Sequence, residues 1–186
     1  RPASPYAVSK VGEDMLGYQY FTAYNIKTVR TRMFTHTGPR RGEVFVCSNF
    51  AKQIAMIEAE LQENIVHVGN LESVRTFTDV RDAVRAYWLL TEKYREGKIL
   101  AGDVYNIGGV ETMTIGEMLN KLLALSPSKS NIKVVVDKSR LRPADVTLQI
   151  PSIDKFKKAT GWEPEISFDQ TLRDLINYWR ERILIH

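Results

Sequence analysis

The hydrophobic and polar positions along the chain predict helices and strands in alternation. A long amphipathic stretch follows Ser4 and Pro5 and runs to Tyr24. Serine caps free backbone N–H groups and proline suits the first helical position, so this stretch is predicted to be a helix. Residues 26–34 then alternate with the period of a strand. The same criteria predict helices over residues 48–61, 79–95, 114–125, 152–160 and 167–183, and strands over 65–68, 104–107 and 132–136.

This alternation favours an α/β fold with parallel strand pairing. Two local signals support the predicted boundaries. Asp79 is a suitable cap for the helix that follows it, and Thr114 with Glu117 has the spacing of a capping box. The chain has no internal repeat, and residues 126–131 have linker composition but are short enough to be a loop.

Composition excludes several classes of protein. Hydrophobic residues at 44% and charged residues at 26% are ordinary values for a globular protein. No apolar run approaches the roughly 18 residues needed to span a bilayer, and the first ten residues contain no apolar signal-peptide core. The single cysteine, Cys47, cannot form an internal disulfide, which fits a reducing compartment. We therefore expect a cytoplasmic protein without a membrane segment.

The net charge of +4 is spread along the chain rather than concentrated in one block. Nucleic-acid binding usually needs a concentrated basic stripe, so it is the least favoured function. A few arginines directed at a phosphorylated small molecule explain the surplus as well. The three histidines, His36, His67 and His186, lack metal-ligand spacing, and no metal is expected.

Tyr6 and Lys10 are the residues with the clearest candidate chemistry. They lie four residues apart on a predicted helix, so their side chains share a face. A nearby ammonium group favours tyrosinate, and the positive end of the helix dipole acts in the same direction on a first-turn tyrosine. The pair can serve as a general acid/base. Taken alone, the spacing is more typical of a surface helix pair.

The surrounding residues resemble the extended short-chain dehydrogenases/reductases over essentially the whole chain. In the order of that family come SPYAVSK (4–10), RMF (32–34), TGP (37–39), VGNLE (68–72), RTFTDVRD (75–82), VYNIG (104–108), LRPAD (141–145) and TGWEP (160–164). HTGPRR (36–41) and FAKQI (50–54) are similar to the group of GDP-mannose 4,6-dehydratases and GDP-4-keto-6-deoxymannose reductases.

The resemblance implies the carboxy-terminal part of a Rossmann-type parallel sheet, interleaved with a small α/β substrate-binding domain. Residues 1–37 and 77–110 would belong to the dinucleotide-binding domain. Residues 38–76 and 111–186 would form the nucleotide-sugar domain.

The resemblance also implies roles for individual residues. Tyr6 would transfer the proton at the sugar, and Lys10 would tune Tyr6 and hold the nicotinamide ribose; with Arg40, these two residues would contact the cofactor. The implied substrate-binding residues are Thr35, Lys52, Asn70, Arg75, Arg142 and Asp145. Of these, Arg75 and Arg142 would meet the diphosphate, for which an arginine fork is suited.

The activity that the resemblance implies is nucleotide-sugar modification with NADP or NAD, converting GDP-mannose to GDP-4-keto-6-deoxymannose. A ketoreductase and a nucleotide-sugar epimerase are the alternatives within the family. A truncated, non-catalytic nucleotide-sugar-binding fragment is the alternative of another class. The expected partners are a GDP-sugar and further copies of the chain, in a homodimer or homotetramer.

Two positions and one missing motif depart from the family pattern. Thr35 stands where asparagine is expected, and Thr76 stands where aspartate is expected. No glycine-rich nucleotide fingerprint occurs, since that motif precedes the catalytic tyrosine in the family. We therefore expect the 186 residues alone to bind no NADP(H) and to be inactive.

Overall fold

A computed structural model describes residues 2, 4–141 and 148–184. Within these residues the helices are α1 (Pro5–Tyr24), α2 (Val46–Glu58), α3 (Val80–Arg95), α4 (Ile115–Ala124), α5 (Asp154–Thr160) and α6 (Phe168–Leu184). The strands are β1 (Arg30–Met33), β2 (His36–Thr37), β3 (Ile65–Val68), β4 (Val74–Thr76), β5 (Thr78–Asp79), β6 (Val104–Ile107), β7 (Thr112–Thr114), β8 (Lys133–Val136) and β9 (Leu148–Gln149).

The described strands pair in small sheets that are mostly parallel. Parallel pairs join β1 to β6, β2 to β5 and β3 to β8. In the fourth sheet β4 lies between β9, which is parallel to it, and β7, which is antiparallel. The predicted α/β class with parallel pairing is confirmed. The antiparallel contact was not predicted, because strands of two or three residues are too short to show a period.

Two element boundaries differ from the predicted ones for local reasons. The first strand was expected over residues 26–34, but the ladder with β6 begins only at Arg30, opposite Val104. Asn25 adopts the left-handed conformation (φ 54°) that ends α1, and the next residues lead back to the sheet. The second helix begins at Val46 and ends at Glu58, since Glu60 also has a positive φ (57°).

Two clusters of buried side chains hold the elements together. The larger one joins α2, α4 and α6 over β3, with fully buried residues such as Ile54, Leu122 and Leu175. The smaller one joins α3, α5 and β6 around Phe156 and Trp162, which are both fully buried. The division of the chain into two interleaved domains stays a prediction.

A buried carboxylate at the start of α3 joins that helix to α6. Asp79 is 1% exposed and caps α3 by accepting a hydrogen bond from the Arg81 backbone N–H (2.8 Å). The Arg81 guanidinium donates to both Asp79 oxygens, and the Thr171 hydroxyl on α6 donates at 2.7 Å. Burial raises the pKa of the Asp79 carboxyl, but the bonds from Arg81 and Thr171 outweigh it, so the pKa lies below its usual value.

A second carboxylate, one turn further along α3, holds the segment that leads into α6. Asp82 is 1% exposed, and its side chain accepts from the backbone N–H groups of Glu165 (3.0 Å) and Ile166 (2.9 Å). The Trp162 indole N–H donates to the Asp82 carbonyl at 3.1 Å. These bonds satisfy backbone groups in a segment that has no regular secondary structure.

Gly109 allows the turn after β6 to lie directly on the backbone of Phe77. A Cβ atom at Gly109 would be 1.9 Å from the Phe77 carbonyl oxygen, a distance that no side chain tolerates. The Phe77 ring stacks on Phe168 at a centroid distance of 4.6 Å. Phe77, between β4 and β5, is therefore held by Gly109 at its backbone and by Phe168 at its ring.

Helix α1 lies on the outside of the described structure, and none of its residues is buried. Asp14 attaches it to β1 by ion pairs with Arg30 (3.3 Å) and Arg32 (2.9 Å). The Thr28 hydroxyl adds a bond to the Gly17 carbonyl at 2.8 Å. Among the described residues, no helix is both long and apolar enough to cross a membrane.

Replacing Asp79 by alanine is expected to lower the free energy of unfolding by about 2–4 kcal/mol, because a helix cap is lost and the buried Thr171 hydroxyl loses its acceptor. Urea denaturation followed by circular dichroism measures the change. Asp169→Ala is the matched control, since Asp169 is an exposed first-turn carboxylate paired with Lys121. The control should change the free energy of unfolding by less than about 1 kcal/mol, and equal losses in both variants would contradict the role of Asp79.

The contribution of Asp79 should also depend on pH. Because its pKa is lowered in the folded state, the stabilisation is complete above the unfolded pKa and is lost as pH falls through the folded one. The difference in unfolding free energy between the wild type and Asp79→Asn should stay constant above about pH 5 and shrink below about pH 4. A difference that grows on acidification would show that the carboxylate is not stabilised by its partners.

Candidate functional site

One cleft gathers four of the predicted substrate-binding residues. It has a volume of about 760 Å³ and is lined by residues of α2, by the loop after β3 and by β4. The four residues are Thr35, Lys52, Asn70 and Arg75. Thr35 and Arg75 lie far apart in the sequence, so the fold, rather than local spacing, brings the four residues together.

Each of these side chains is carried by a different element. Thr35 lies between β1 and β2, where its carbonyl accepts a hydrogen bond from the Thr78 N–H at 3.0 Å. Arg75 is the central residue of β4, which has a hydrogen-bonded neighbour on each side. Lys52 belongs to α2, whose inner face is part of the larger core. The cleft therefore rests on ordered elements.

Asn70 and Arg75 have contacts that shape the cleft wall. The Asn70 amide donates to the Ser73 hydroxyl at 3.0 Å, and its oxygen accepts from the Glu72 N–H at 2.9 Å. These two bonds fix the turn between β3 and β4. The Arg75 guanidinium donates to the Val74 carbonyl at 2.8 Å. Asn70 thus determines the shape of the loop that leads into β4, the strand that carries Arg75.

Lys52 is held by a carboxylate and an aromatic ring. Its ammonium group forms an ion pair with Glu43, which also lines the cleft. The same group lies 5.4 Å from the centroid of the Trp179 ring on α6. The Trp179 indole N–H donates to the buried Ser48 hydroxyl at 2.9 Å, so this ring is itself fixed in place.

Sequence reasoning missed several polar residues of the cleft, and three of them bear on its charge and shape. Glu43, Asn49 and Arg140 all line it, and the Arg140 guanidinium donates to the Asn49 side-chain oxygen at 2.8 Å. Arg140 reaches the cleft because Gly69 leaves room: a Cβ there would lie 3.0 Å from the Arg140 carbonyl oxygen. The glycine after the predicted strand at 65–68 was the only sequence signal of this approach.

The charges of the cleft favour a polyanionic ligand. Three cationic side chains, Lys52, Arg75 and Arg140, face one carboxylate, Glu43, among the lining residues. Arginine and lysine bind phosphate groups through charge-assisted hydrogen bonds. Phe45, Phe50 and Met56 supply apolar surface in the same cleft. The arrangement suits a ligand with a phosphate part and a flat or apolar part.

Tyr6 lies in the first turn of α1, as the sequence predicts. The Ser4 hydroxyl caps this helix by accepting from the Ala7 N–H at 3.1 Å, with Pro5 at the first position. The Tyr6 side chain is 71% exposed, so its hydroxyl can be reached from outside. Lys10 donates to Glu13 at 2.5 Å, and this bond and the Glu13 charge raise the pKa of Lys10; Tyr6 contributes in the same direction.

Arg41 is a second cation near Tyr6 that sequence reasoning did not single out. Burial lowers the pKa of Arg41 and outweighs the electrostatic contributions of Cys47 and Tyr6, which act in the opposite direction. Its guanidinium lies over the Phe45 ring, 3.4 Å from the centroid. The neighbouring Arg40, the predicted cofactor contact, is exposed in a left-handed turn (φ 70°). The role of Arg40 stays a prediction.

Three further predicted positions have different outcomes. Arg142 and Asp145 lie outside the described residues. Thr76, which stands where the family pattern has aspartate, is 1% exposed, and its hydroxyl has no hydrogen-bond partner among the described residues. Within the same described residues, no group of three or more histidine, cysteine, aspartate or glutamate side chains could hold a metal ion.

Several curated proteins are similar in sequence to this chain. The curated relatives include the GDP-6-deoxy-D-mannose reductase of Pseudomonas aeruginosa, 32% identical over 98% of this chain and 58% of its own length. GDP-mannose 4,6 dehydratase 2 of Arabidopsis thaliana is 29% identical over 99% of this chain and 49% of its own length. The chain thus spans about half the length of these relatives.

Several solved structures have a fold similar to that of this chain. The structure of RMD from Pseudomonas aeruginosa complexed with NADPH matches 98% of this chain and 58% of its own, with a TM-score of 0.85 and 32% identity. A UDP-glucose 4-epimerase from Thermotoga maritima with UDP-glucose matches 98% of this chain and 55% of its own, with a TM-score of 0.82 and 27% identity. The sequence model of the GDP-mannose 4,6 dehydratase family covers residues 1–175, and the chain belongs to that family.

Proposed function

We propose that the protein carrying this chain is a nucleotide-sugar dehydratase that uses NADP or NAD to convert GDP-mannose to GDP-4-keto-6-deoxymannose. The observation that carries the proposal is the positively charged cleft, in which Thr35, Lys52, Asn70 and Arg75 lie together. Membership of the GDP-mannose 4,6 dehydratase family supports the choice of substrate.

In this proposal the cleft binds the GDP part of the substrate. Arg75 and Arg140 contact the diphosphate, where guanidinium groups form paired hydrogen bonds with phosphate oxygens. Thr35 contributes a hydroxyl at the position where the family pattern has the amide of asparagine. A hydroxyl offers fewer hydrogen-bonding groups than that amide. Phe45 and Met56 offer apolar surface to the flat base.

Tyr6 acts as the acid/base in this proposal. Its exposed hydroxyl at the positive end of α1 takes the proton of the sugar C4 hydroxyl when that carbon is oxidised. Lys10, one turn further along α1, and Arg41 both interact electrostatically with Tyr6. Tyr6 and Lys10 would hold a nicotinamide cofactor, which when bound supplies hydride acceptance and return. Loss of water across C5 and C6 completes the balance: GDP-mannose gives the 4-keto-6-deoxy sugar and water.

A second candidate is the ketoreductase reaction on the product of the first. It is favoured by the GDP-6-deoxy-D-mannose reductase of Pseudomonas aeruginosa, whose identity of 32% exceeds the 29% of the Arabidopsis dehydratase. In that reaction Tyr6 protonates the C4 oxygen, so the same side chain serves in the opposite direction.

The proposal includes a homodimer formed through α1 and a cytoplasmic location. Helix α1 exposes Met15, Leu16 and Tyr18 by about half, and apolar surface of this kind marks contact sites. The single cysteine, Cys47, is a buried free thiol, which supports a reducing compartment.

Arg75→Ala is expected to weaken binding of GDP about 10- to 100-fold, because a charge-assisted hydrogen bond to phosphate is lost. Isothermal titration calorimetry with GDP measures the change. Arg95→Ala is the matched control, since Arg95 is an exposed arginine at the end of α3 that pairs with Glu92. Unchanged GDP affinity in Arg75→Ala would show that the diphosphate does not bind at Arg75.

Tyr6→Phe is expected to lower kcat about 10²- to 10⁴-fold while leaving KM for the GDP-sugar nearly unchanged, because only the proton-transferring hydroxyl is removed. The natural protein carrying this chain is assayed with GDP-mannose and NADP, and loss of water from the sugar is followed by mass spectrometry. Tyr24→Phe at the far end of α1, 65% exposed, is the control. A full kcat in Tyr6→Phe would exclude the proposed role.

The same assay separates the candidate functions. Water loss from GDP-mannose supports the dehydratase. Oxidation of NADPH in the presence of GDP-4-keto-6-deoxymannose, without water loss from GDP-mannose, supports the reductase. GDP binding without either reaction supports a non-catalytic binding protein.

A further inference from the structure

Strand β8 forms an open edge that the proposed function does not use. All four of its residues, Lys133–Val136, are exposed, including the three consecutive valines Val134 (42%), Val135 (42%) and Val136 (57%). Among the described residues β8 pairs with β3 alone. Consecutive exposed valines with unpaired backbone groups form a surface on which another strand can pair.

The hydrogen bonds to β3 determine which backbone groups of β8 face outward. Lys133 N–H donates to the Asn64 carbonyl at 2.8 Å, and Asp137 N–H donates to the Val68 carbonyl at 2.8 Å. In a parallel ladder alternate residues bond to the same neighbour, so Val135 also faces β3. The N–H and C=O groups of Val134 and Val136 therefore point away from the sheet.

The side chains of β8 divide between the two faces of the sheet. Val134 lies beside Val66 and Val136 beside Val68, and these two β3 residues are fully buried in the larger core. The two β8 valines thus continue the core surface past its edge, where nothing described covers them. A strand added beyond β8 would lie against them and reduce their exposure.

The sequence of this edge is complementary to itself. Residues 133–137 read Lys-Val-Val-Val-Asp, so the ends carry opposite charges around a central valine. In an antiparallel pair centred on Val135, Lys133 of each copy lies opposite Asp137 of the other, and opposite charges in facing positions stabilise a pair. Asp137 already accepts from Ser139 through Oδ1 and pairs with Arg140 at 3.4 Å through Oδ2, so Lys133 would add a second cation at Oδ2. In the same register, Val134 of each copy lies opposite Val136 of the other, and these are the residues whose backbone groups face outward.

We propose that β8 is a pairing surface for a second copy of this chain, in which two β8 strands associate antiparallel about Val135. The pairing joins the two β3–β8 sheets into one continuous sheet with four backbone hydrogen bonds between copies. A contact of this size gives a weak, reversible association. It lies on a different element from α1, so it adds an interface to the one proposed above.

Cross-linking at the centre of the pair tests this geometry. A Val135–Val135 pair in this register is not hydrogen-bonded, which places the Cα atoms about 4.5 Å apart, within the range of a disulfide. Under mild oxidation, Val135→Cys should form an intermolecular disulfide about tenfold faster than Val110→Cys, a control at a 64% exposed loop valine. Cys47 is not a competing thiol, because it is buried and its pKa is raised to about 12.

A second substitution separates strand pairing from chance collision. Val134→Pro removes an outward N–H without touching the bonds to β3, and in the Val135→Cys background it should return cross-linking to the rate of the control. Cross-linking of Val135→Cys no faster than Val110→Cys overturns the proposal, and this is the result expected for a dimer formed through α1 alone.

Amide exchange in the unmodified chain gives an independent measurement if Val135→Cys fails to fold. By nuclear magnetic resonance, the amide hydrogens of Val134 and Val136 should exchange more slowly in concentrated than in dilute protein. Those of Lys133 and Val135, which already bond to β3, should not change. Equal exchange of Val134 and Val136 at both concentrations overturns the proposal.

Discussion

Two buried carboxylates, the α3 cap Asp79 and Asp82 in the first turn of α3, join this helix to α6 and to the segment that precedes it. Asp79 accepts bonds from its own helix and from Thr171 on α6, and Asp82 accepts backbone bonds from Glu165 and Ile166. Both follow Arg75 closely in the sequence. The short segment that places Arg75 in the cleft therefore also holds α6 in position. Charged groups as deeply buried as these stabilise a fold only when their oxygens are all engaged, as here.

The cleft depends on that arrangement, because its walls come from elements distant in sequence. Helix α6 supports Lys52 through Trp179, β4 carries Arg75, and the loop after β3 brings Arg140 close by leaving no side chain at Gly69. Tyr6 is attached separately, on a helix joined to the sheet mainly by ion pairs of Asp14. The cleft and Tyr6 therefore rest on different parts of the fold, so substitutions can alter one without the other.

Sequence reasoning was sufficient where a pattern extends over a whole element. The helix caps at Ser4, Asp79 and Thr114 were predicted, and all three are confirmed. It was insufficient where structure arises from contacts across the chain: strands of two or three residues have no period to detect, and Arg140 lines the cleft only because a distant glycine leaves space. The family resemblance named four residues that the fold places in one cleft, while their roles await the experiments above.

The close approach of Gly109 to Phe77 has a consequence for comparing sequences. Since any side chain at that position would collide with the Phe77 carbonyl, a homologue with a larger residue there must have moved either the turn after β6 or the backbone around Phe77. A shift around Phe77 would change the distance between Arg75 in the cleft and Asp79, the carboxylate that bonds to α6. A single glycine, more than thirty positions away in the sequence, thus serves as a diagnostic of whether a relative keeps the same cleft.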